Sequence, residues 1–184
     1  MLPAEVERHR FTVEEYHKMV EAGLLSEDDR VELIDGEIVE MTPIGWRHAT
    51  CVNDLTMLLA RFAGDRYVVS VQNPLTISEH GEPQSDLVLL KRRPHGRLPA
   101  PGDVALVIEV SDTTLSYDRD VKLPRYARAG LAEVWIVDLE GRRVESHSAP
   151  SAEGYGVCHE FRPGEQVRSE SVEGLSLPVD GILG

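Results

Sequence analysis

Cysteine and long apolar runs are scarce in this chain, and each shortage argues against a class of protein. Only two cysteines, Cys51 and Cys158, occur in 184 residues. They lie far apart and outside any CxxC pattern, which disfavours both a disulfide framework and a structural zinc site. The longest apolar run, 104–108, is too short to cross a bilayer. We therefore expect a soluble, cytoplasmic protein without a membrane segment.

Basic residues are also few, since the chain has 19 Lys and Arg residues against 32 Asp and Glu residues, which gives a formal net charge of −13. Phosphate binding depends largely on Lys and Arg, so a protein that coats nucleic acid non-specifically is disfavoured. A nuclease needs only a local basic track, and a carboxylate cluster that holds a divalent metal makes the count more negative. The patterns GxxxxGK(S/T) and GxGxxG are absent, which disfavours nucleotide-fuelled chemistry.

Size and composition predict one domain over residues 1–184. Hydrophobic residues make up 41% of the chain, which is enough for one sizeable core. No repeat, low-complexity tract or linker divides the sequence. We expect the core to span about 11–161 and a loop-like C-terminal extension to span 162–184.

The first third of the chain carries two helix patterns and one hairpin pattern. A capping box with helical spacing predicts a helix over 12–22. Asp35 and Gly36 lie between two β-rich runs, and this dipeptide favours the tight turn of a hairpin. An apolar stripe predicts a second helix over 48–62, ended by Gly64.

The remainder is rich in strand patterns. They occur at 67–72, 75–78, 86–90, 104–110, 134–138, 142–147 and 155–161. A helix that carries Lys122 and the packing residue Tyr126 is expected before 134–138, with Pro124 in its first turn or at a kink. The last two strands should form a hairpin around Gly154 and Gly156. This order predicts an α/β or α+β layer structure with one mixed β-sheet.

The most informative residue is Glu109. The run around it, 104–110, is apolar on both alternating faces, which is typical of a strand covered on both sides. An ionised carboxylate is costly to bury there, so it should be paired, protonated or bound to a metal ion. The alternative is that Glu109 lies at the exposed C-terminal end of the strand and meets water.

A second carboxylate, Asp86, can meet Glu109 across the sheet. If the two strands pair antiparallel with Lys91 opposite Val104, then Asp86 lies opposite Glu109 and both side chains project from one face. Like charges so placed repel unless one is protonated or a divalent cation lies between them. Oxygen ligands favour Mg²⁺ or Mn²⁺ over zinc. A one-residue slip would put the two carboxylates on opposite faces.

Other polar residues have both a functional and a structural interpretation. Glu32 lies opposite Val39 if the first hairpin turn is tight, and is either a metal or water ligand or a charge on a half-exposed hairpin. His48 could contact a phosphate or assist proton transfer, or it could be a helix-terminal histidine. The basic loop after residue 90 could touch phosphates or be merely solvated. Its candidate contacts are Lys91, Arg92, Arg93 and Arg97.

Three segments carry a family resemblance: SDLVLL, VIEVSD and YDRDVKLPRYARAGLAEVWIVD. They resemble the Uma2 family, which is grouped with the PD-(D/E)XK nucleases. The resemblance also takes in VELIDGEIVEM and His48, and it covers about 11–161. It implies a restriction-endonuclease-like core, in which α-helices flank the central mixed β-sheet, and Mg²⁺-dependent cleavage of phosphodiester bonds.

The resemblance also implies roles for individual residues. Asp86, Glu109 and the backbone carbonyl of Val110 would hold Mg²⁺ or Mn²⁺, which lowers the pKa of a bound water. Ser111 stands at the lysine position of the ExK element, and Lys122 in the following helix is the matching residue. Lys122 would position the water or stabilise negative charge in the transition state.

Two further positions stand out against the family pattern. Gln72 matches it and could hydrogen-bond near the metal. Ser85 replaces the Pro that would precede the first Asp, which should alter the local backbone and leave the ligand intact.

Together these residues predict a metal-dependent endonuclease whose expected substrate is DNA. One alternative is a catalytically weak or inactive regulatory domain that binds nucleic acid or metal, which Ser111 and the acidic surface favour. Another is a hydrolase of a different phosphate ester, which would share the same ligands. A homodimer would let an enzyme with one site per chain act on both DNA strands.

Overall fold

A computed structural model describes residues 8–26, 28–92 and 98–184 of the protein. The helices of this part of the chain are α1 (Val13–Glu21), α2 (Trp46–Ala63), α3 (Leu115–Tyr117), α4 (Leu123–Arg128) and α5 (Val179–Leu183). The strands are β1 (Val31–Ile34), β2 (Glu37–Glu40), β3 (Tyr67–Val71), β4 (Leu87–Lys91), β5 (Val104–Ser111), β6 (Glu133–Asp138), β7 (Arg143–Ser151), β8 (Gly154–Phe161), β9 (Gln166–Arg168) and β10 (Ser176–Pro178). Within the described ranges, no helix is long and apolar enough to span a membrane.

A six-stranded mixed sheet forms the centre of the fold, in the order β3-β4-β5-β6-β7-β8. β5 and β6 run parallel, and the other neighbours run antiparallel. Leu87 and Leu89 of β4 pack with α2 on one face, while Val88 and Leu90 pack with Tyr126 of α4 on the other. The predicted central mixed sheet flanked by helices is therefore confirmed, and the strand that carries Glu109 is covered on both faces.

The N-terminal predictions are also confirmed. Thr12 is the N-cap of α1 and completes a capping box with Glu15. Asp35 and Gly36 take positive φ angles of 49° and 79° in the turn between β1 and β2, as a tight hairpin requires. Gly64 ends α2, which begins two residues earlier than the apolar stripe indicated.

The pairing of β4 with β5 decides whether the two candidate carboxylates share a face. Leu87 lies opposite Ile108, as predicted. A bulge at Ala105 in β5 shifts the register by one residue further along, so that Val104 lies opposite Leu90 instead of Lys91. The predicted register is therefore right beside the carboxylates and wrong at the other end of the strands.

The strand predicted over 75–78 is wrong. This segment makes only isolated bridges, in which Pro74 pairs with Gln84 and Ser78 with Gly81. The alternating apolar residues Leu75 and Ile77 do not mark a strand. They are buried against the core on the α4 side of the sheet.

The prediction for the C-terminal part of the chain also needs correction. The turn of the last hairpin falls at 152–153, so Gly154 begins β8 and Gly156 lies inside it. Residues 162–184 are not loop-like, since β9 and β10 pair and α5 follows them. Val167, Leu177 and Ile182 are buried in the core cluster that also contains α2. Hydrophobic burial therefore holds this segment against the sheet.

The connection between β5 and β6 is more irregular than the single helix predicted. α3 is followed by a π-helical turn, Asp118–Lys122, and then by α4. Pro124 lies in the first turn of α4, which is the first of the two predicted alternatives. The π turn ends at Lys122, and such turns occur frequently at functional sites.

Candidate active site

A cleft of about 490 Å³ opens where β5 ends and β4 begins. It brings together six of the predicted site residues and one neighbour that was not predicted. These are Glu32, His48, Asp86, Glu109, Val110 and Lys122, with Gln84 as the neighbour.

Glu109 is buried and paired, and does not meet water at a strand end. Its residue exposure is only 2%. The Lys122 Nζ atom lies 3.0 Å from Glu109 Oε1, and the Tyr126 hydroxyl donates to the same oxygen. The other oxygen, Oε2, lies 3.4 Å from the backbone N–H of Asp86. The two oxygens of this carboxylate therefore have different surroundings.

Burial dominates the electrostatics of this pair. It raises the pKa of Glu109 to about 8, although the Lys122 ammonium opposes the shift. Burial alone would lower the pKa of Lys122, but Glu109, Tyr126, Glu32 and Asp118 together outweigh burial and hold that pKa well above its usual value. Lys122 therefore remains a cation inside the protein.

Asp86 connects Glu109 to helix α2. Its Oδ2 accepts a hydrogen bond of 2.8 Å from the backbone N–H of Val110, and its Oδ1 lies 2.9 Å from His48 Nε2. Since the Asp86 N–H also points to Glu109, the two carboxylate-bearing segments brace each other. The ring of His48 is largely buried, and its Nδ1 finds no hydrogen-bond partner in the described part of the chain.

Glu32 belongs to the site, and its contacts include the Lys122 ammonium. Glu32 is buried, so the alternative of a charged residue on a half-exposed hairpin is wrong. It lies opposite Val39, as predicted. Its Oε2 accepts from the Gln84 N–H at 2.9 Å and lies 3.6 Å from Lys122 Nζ, while its Oε1 accepts from the Tyr117 hydroxyl at 2.7 Å. This arrangement suits a carboxylate that holds Lys122 better than one that binds a metal.

The position of Lys122 depends on the π turn, which two buried acids anchor. The hydroxyls of Ser111 and Thr114 donate to Asp118 Oδ2 at 2.7 and 2.8 Å. Ser111, at the expected lysine position of the ExK element, thus anchors the turn that carries Lys122. At the next residue, Arg119 Nε donates to Glu145 Oε2 at 3.0 Å.

Glu145 should make the protein sensitive to acid. Although burial acts in the opposite direction, hydrogen bonds from His147 and Arg119 lower its pKa from 4.5 to about 2. A depressed carboxyl pKa stabilises the fold above its unfolded-state value, and this contribution disappears as the pH falls from about 4.5 towards 2. The shift corresponds to at most about 3 kcal/mol.

Urea unfolding at pH 6, 4 and 3 checks this prediction. We expect the stability difference between the wild type and Glu145→Gln to shrink as the pH falls, because the unfolded wild type takes up a proton at Glu145 in this range while the folded wild type does not. A difference that stays constant from pH 6 to 3 would contradict the assigned cause. Other carboxyl groups titrate in both proteins, so their effects cancel in the comparison.

The remaining predicted site residues lie outside the cleft. Gln72 contributes its backbone, since its N–H donates to the Asp86 carbonyl at 2.9 Å and its carbonyl accepts from the Gln84 side chain. Lys91 and Arg92 are exposed at the opposite end of β4. Five residues of strand separate them from Asp86, a distance of about 17 Å.

Two further members of the basic loop, Arg93 and Arg97, lie outside the described residues. A nucleic-acid contact by any of the four basic residues stays a prediction. The described pair, Lys91 and Arg92, would reach only a substrate that extends well beyond the cleft.

Sequence reasoning missed the two tyrosines that hold the carboxylates. Tyr126 was expected only to pack, and Tyr117 was not singled out. A signal for Tyr126 did exist, because it follows Lys122 by four residues and therefore shares its helical face. A buried tyrosine hydroxyl usually needs a polar partner, and Glu109 was the buried acid available.

The donor set fits a divalent cation bound by few protein ligands. In residues 8–26, 28–92 and 98–184, no group of three or more His, Cys, Asp or Glu side chains is arranged to hold a metal ion. Mg²⁺, however, is commonly bound through one or two carboxylates and keeps several waters. Asp86 and Glu109 supply two hard oxygen donors at adjacent positions of the cleft. The residues present therefore fit Mg²⁺ or Mn²⁺.

Comparison with known proteins identifies the fold and the family of the chain. The fold matches the 1.96 Å crystal structure of a putative nuclease belonging to DUF820 from Anabaena variabilis ATCC 29413, with a TM-score of 0.71. The sequences are 16% identical, and the match covers 94% of this chain and 97% of that one. No curated protein matches the chain. The model of the Uma2 family, described as "Putative restriction endonuclease", matches residues 13–180, so it ends later in the chain than the expected range of about 11–161. The chain belongs to the Uma2 family.

Proposed function

We propose that this protein is a metal-dependent endonuclease that hydrolyses phosphodiester bonds in DNA. The observation that carries the proposal is the triad in the cleft: Asp86 directly before β4, Glu109 on the neighbouring strand β5, and the Lys122 ammonium 3.0 Å from Glu109. Burial of the Glu109 carboxyl beside Asp86 costs free energy of folding, and titratable groups in such surroundings cluster at functional sites. The family description and the nuclease-like neighbour support the same assignment.

Asp86 and Glu109 would hold the cation, which supplies Lewis acidity and lowers the pKa of a bound water. Glu109 and the Gln84 carbonyl, each 3.0 Å from Lys122 Nζ, fix the position of the ammonium. Glu32 lies farther from it, at 3.6 Å. Lys122 can therefore turn an N–H towards a water or a phosphate oxygen, and its fixed charge stabilises the negative charge that develops there.

His48 acts through Asp86 in this scheme. Its Nε2 lies 2.9 Å from Asp86 Oδ1, so it orients that carboxylate within the cleft. The acidic charge of the chain is consistent with a substrate that is held locally at the cation and at Lys122. A broad basic surface would instead coat the duplex.

The proposal is tested by incubating the protein with supercoiled plasmid and with single-stranded DNA, in Mg²⁺, Mn²⁺ or EDTA. We expect metal-dependent cutting that falls about a hundredfold in Asp86→Asn and Glu109→Gln, since each variant loses about 3 kcal/mol of transition-state stabilisation. Glu160→Gln is the matched control, because Glu160 is an exposed carboxylate on β8 away from the cleft.

The outcomes separate the alternatives. Cutting that persists in EDTA or is equal in all variants would contradict the proposal. Metal binding without cutting of any nucleic acid would favour the regulatory domain. Hydrolysis of small phosphodiesters or monoesters with nucleic acids left intact would identify a different phosphoesterase.

A further inference from the structure

We propose that Ser85 and Tyr126 form a positioning pair that sets the spacing between Asp86 and Glu109, an inference that rests on the proposed metal-dependent function. Tyr126 is fully buried, and its hydroxyl donates to Glu109 Oε1. The same hydroxyl lies 2.9 Å from Ser85 Oγ. Because Ser85 directly precedes Asp86, one tyrosine hydroxyl joins the two segments that carry the metal-binding carboxylates.

The two carboxylate oxygens of Glu109 have different hydrogen-bond partners. Oε1 receives both the Tyr126 hydroxyl and the Lys122 ammonium, whereas Oε2 has the Asp86 N–H at 3.4 Å. A carboxylate held by two donors on one oxygen cannot rotate freely, because rotation would break both hydrogen bonds. Oε2 is therefore kept on the side of Asp86, where a cation shared by the two acids would lie.

Ser85 has a hydroxyl where the family pattern has a proline. A proline would stiffen the backbone before Asp86 through its fixed φ angle, but it could not form a hydrogen bond with Tyr126. In this chain, Ser85 is fully buried and bonded to Tyr126, and the neighbouring Gln84 carbonyl accepts from Lys122 at 3.0 Å. Two side chains four residues apart thus hold two consecutive residues just ahead of Asp86.

Another tyrosine offers a matched control for the loss of a hydroxyl. The Tyr155 hydroxyl donates to the Leu131 carbonyl at 2.7 Å, and this contact does not involve the cleft. Removal of either hydroxyl should weaken the fold, because each leaves an acceptor without its donor. Only the removal of the Tyr126 hydroxyl should change metal binding.

The experiment measures Mn²⁺ affinity by calorimetry without nucleic acid, and metal-free stability by urea unfolding. We expect Tyr126→Phe to weaken Mn²⁺ binding by about tenfold or more, which is typical when a hydrogen bond to a ligating carboxylate is lost. Ser85→Ala should weaken it less, and the double variant should bind like Tyr126→Phe, because both changes break one linkage. Tyr155→Phe should lose stability and keep wild-type affinity.

Wild-type Mn²⁺ affinity in Tyr126→Phe would overturn the proposed role of the positioning pair. An equal loss of Mn²⁺ affinity in Tyr155→Phe would overturn it as well. If the wild type binds Mn²⁺ but cuts nothing, the proposed endonuclease fails while the affinities still decide the role of the pair. If the wild type binds no Mn²⁺ at all, both proposals are overturned.

Discussion

Replacement of Lys122 by methionine should lower cleavage by about a hundred- to a thousandfold, and excess metal should not restore it. Methionine keeps much of the volume of the lysine but removes the ammonium that lies 3.0 Å from Glu109 and from the Gln84 carbonyl. Loss of one preorganised charge or donor at the reacting group has an effect of about this size. Single-turnover cleavage at saturating Mn²⁺ measures it.

The same variant should be less stable without metal and regain stability with it. Removal of one partner from a buried ion pair costs about 3–5 kcal/mol, because the other charge stays buried. Glu109 can relieve part of this cost by taking up a proton, and a bound divalent cation would replace the missing positive charge. Lys18→Met is the control, since Lys18 is exposed and pairs with the exposed Glu14 on α1, away from the cleft. Cleavage by Lys122→Met within a few-fold of the wild type would remove Lys122 from the mechanism.

The pairing of the two carboxylates was predictable because it follows from strand alternation. Glu109 was conspicuous as an acid in an apolar strand, and the assumed antiparallel pairing with the strand after Asp86 placed the two acids opposite each other. The bulge at Ala105 in β5 left no pattern in the sequence, so the predicted register failed at Lys91. The predicted register is still correct next to Asp86, because the bulge lies farther along the strands, beyond the pairs that Leu87, Val88 and Leu89 form.

The surroundings of Lys122 could not be derived in the same way. Its burial depends on a π turn, whose wider spacing no simple helical periodicity predicts. Its partner Glu32 comes from a hairpin about 90 residues earlier, and Tyr117 completes that contact from α3. Side-chain hydrogen bonds of this kind are set by tertiary packing, so a single sequence gives the candidate acids but not their partners.

The prediction of a loop-like C-terminal segment, 162–184, was wrong because tertiary packing again decides the structure. β9 and β10 are three residues each, too short for alternation to stand out from a loop. Their apolar residues are nevertheless buried against the sheet. At one point the segment is held by polar contacts instead, because residues 169–171 donate hydrogen bonds to Glu133 in β6.

Replacement of Glu133 by alanine should destabilise the protein by about 3–5 kcal/mol, because it leaves many donors without an acceptor. Glu133 is fully buried, and its carboxylate accepts hydrogen bonds from β6, β7 and the segment between β9 and β10. The donors are Trp135 Nε1, Ser146 Oγ, Ser169 Oγ, Glu170 N, Ser171 N and Ser171 Oγ. Burial opposes ionisation, yet bonds from Ser169, Ser171 and Trp135 outweigh it and lower the pKa of Glu133.

Urea unfolding at pH 7 measures this loss, with the exposed Glu153→Gln as control. Hydrogen exchange should show the damage first at 166–178, because four of the donors to Glu133 belong to this segment. Metal affinity below the unfolding transition should stay at the wild-type value, since Glu133 lies outside the cleft. A loss under about 1 kcal/mol would mean that water satisfies the freed donors, which requires the segment to detach from β6. Exchange data and stability together therefore distinguish a charge that anchors the C-terminal segment from one that the fold merely tolerates.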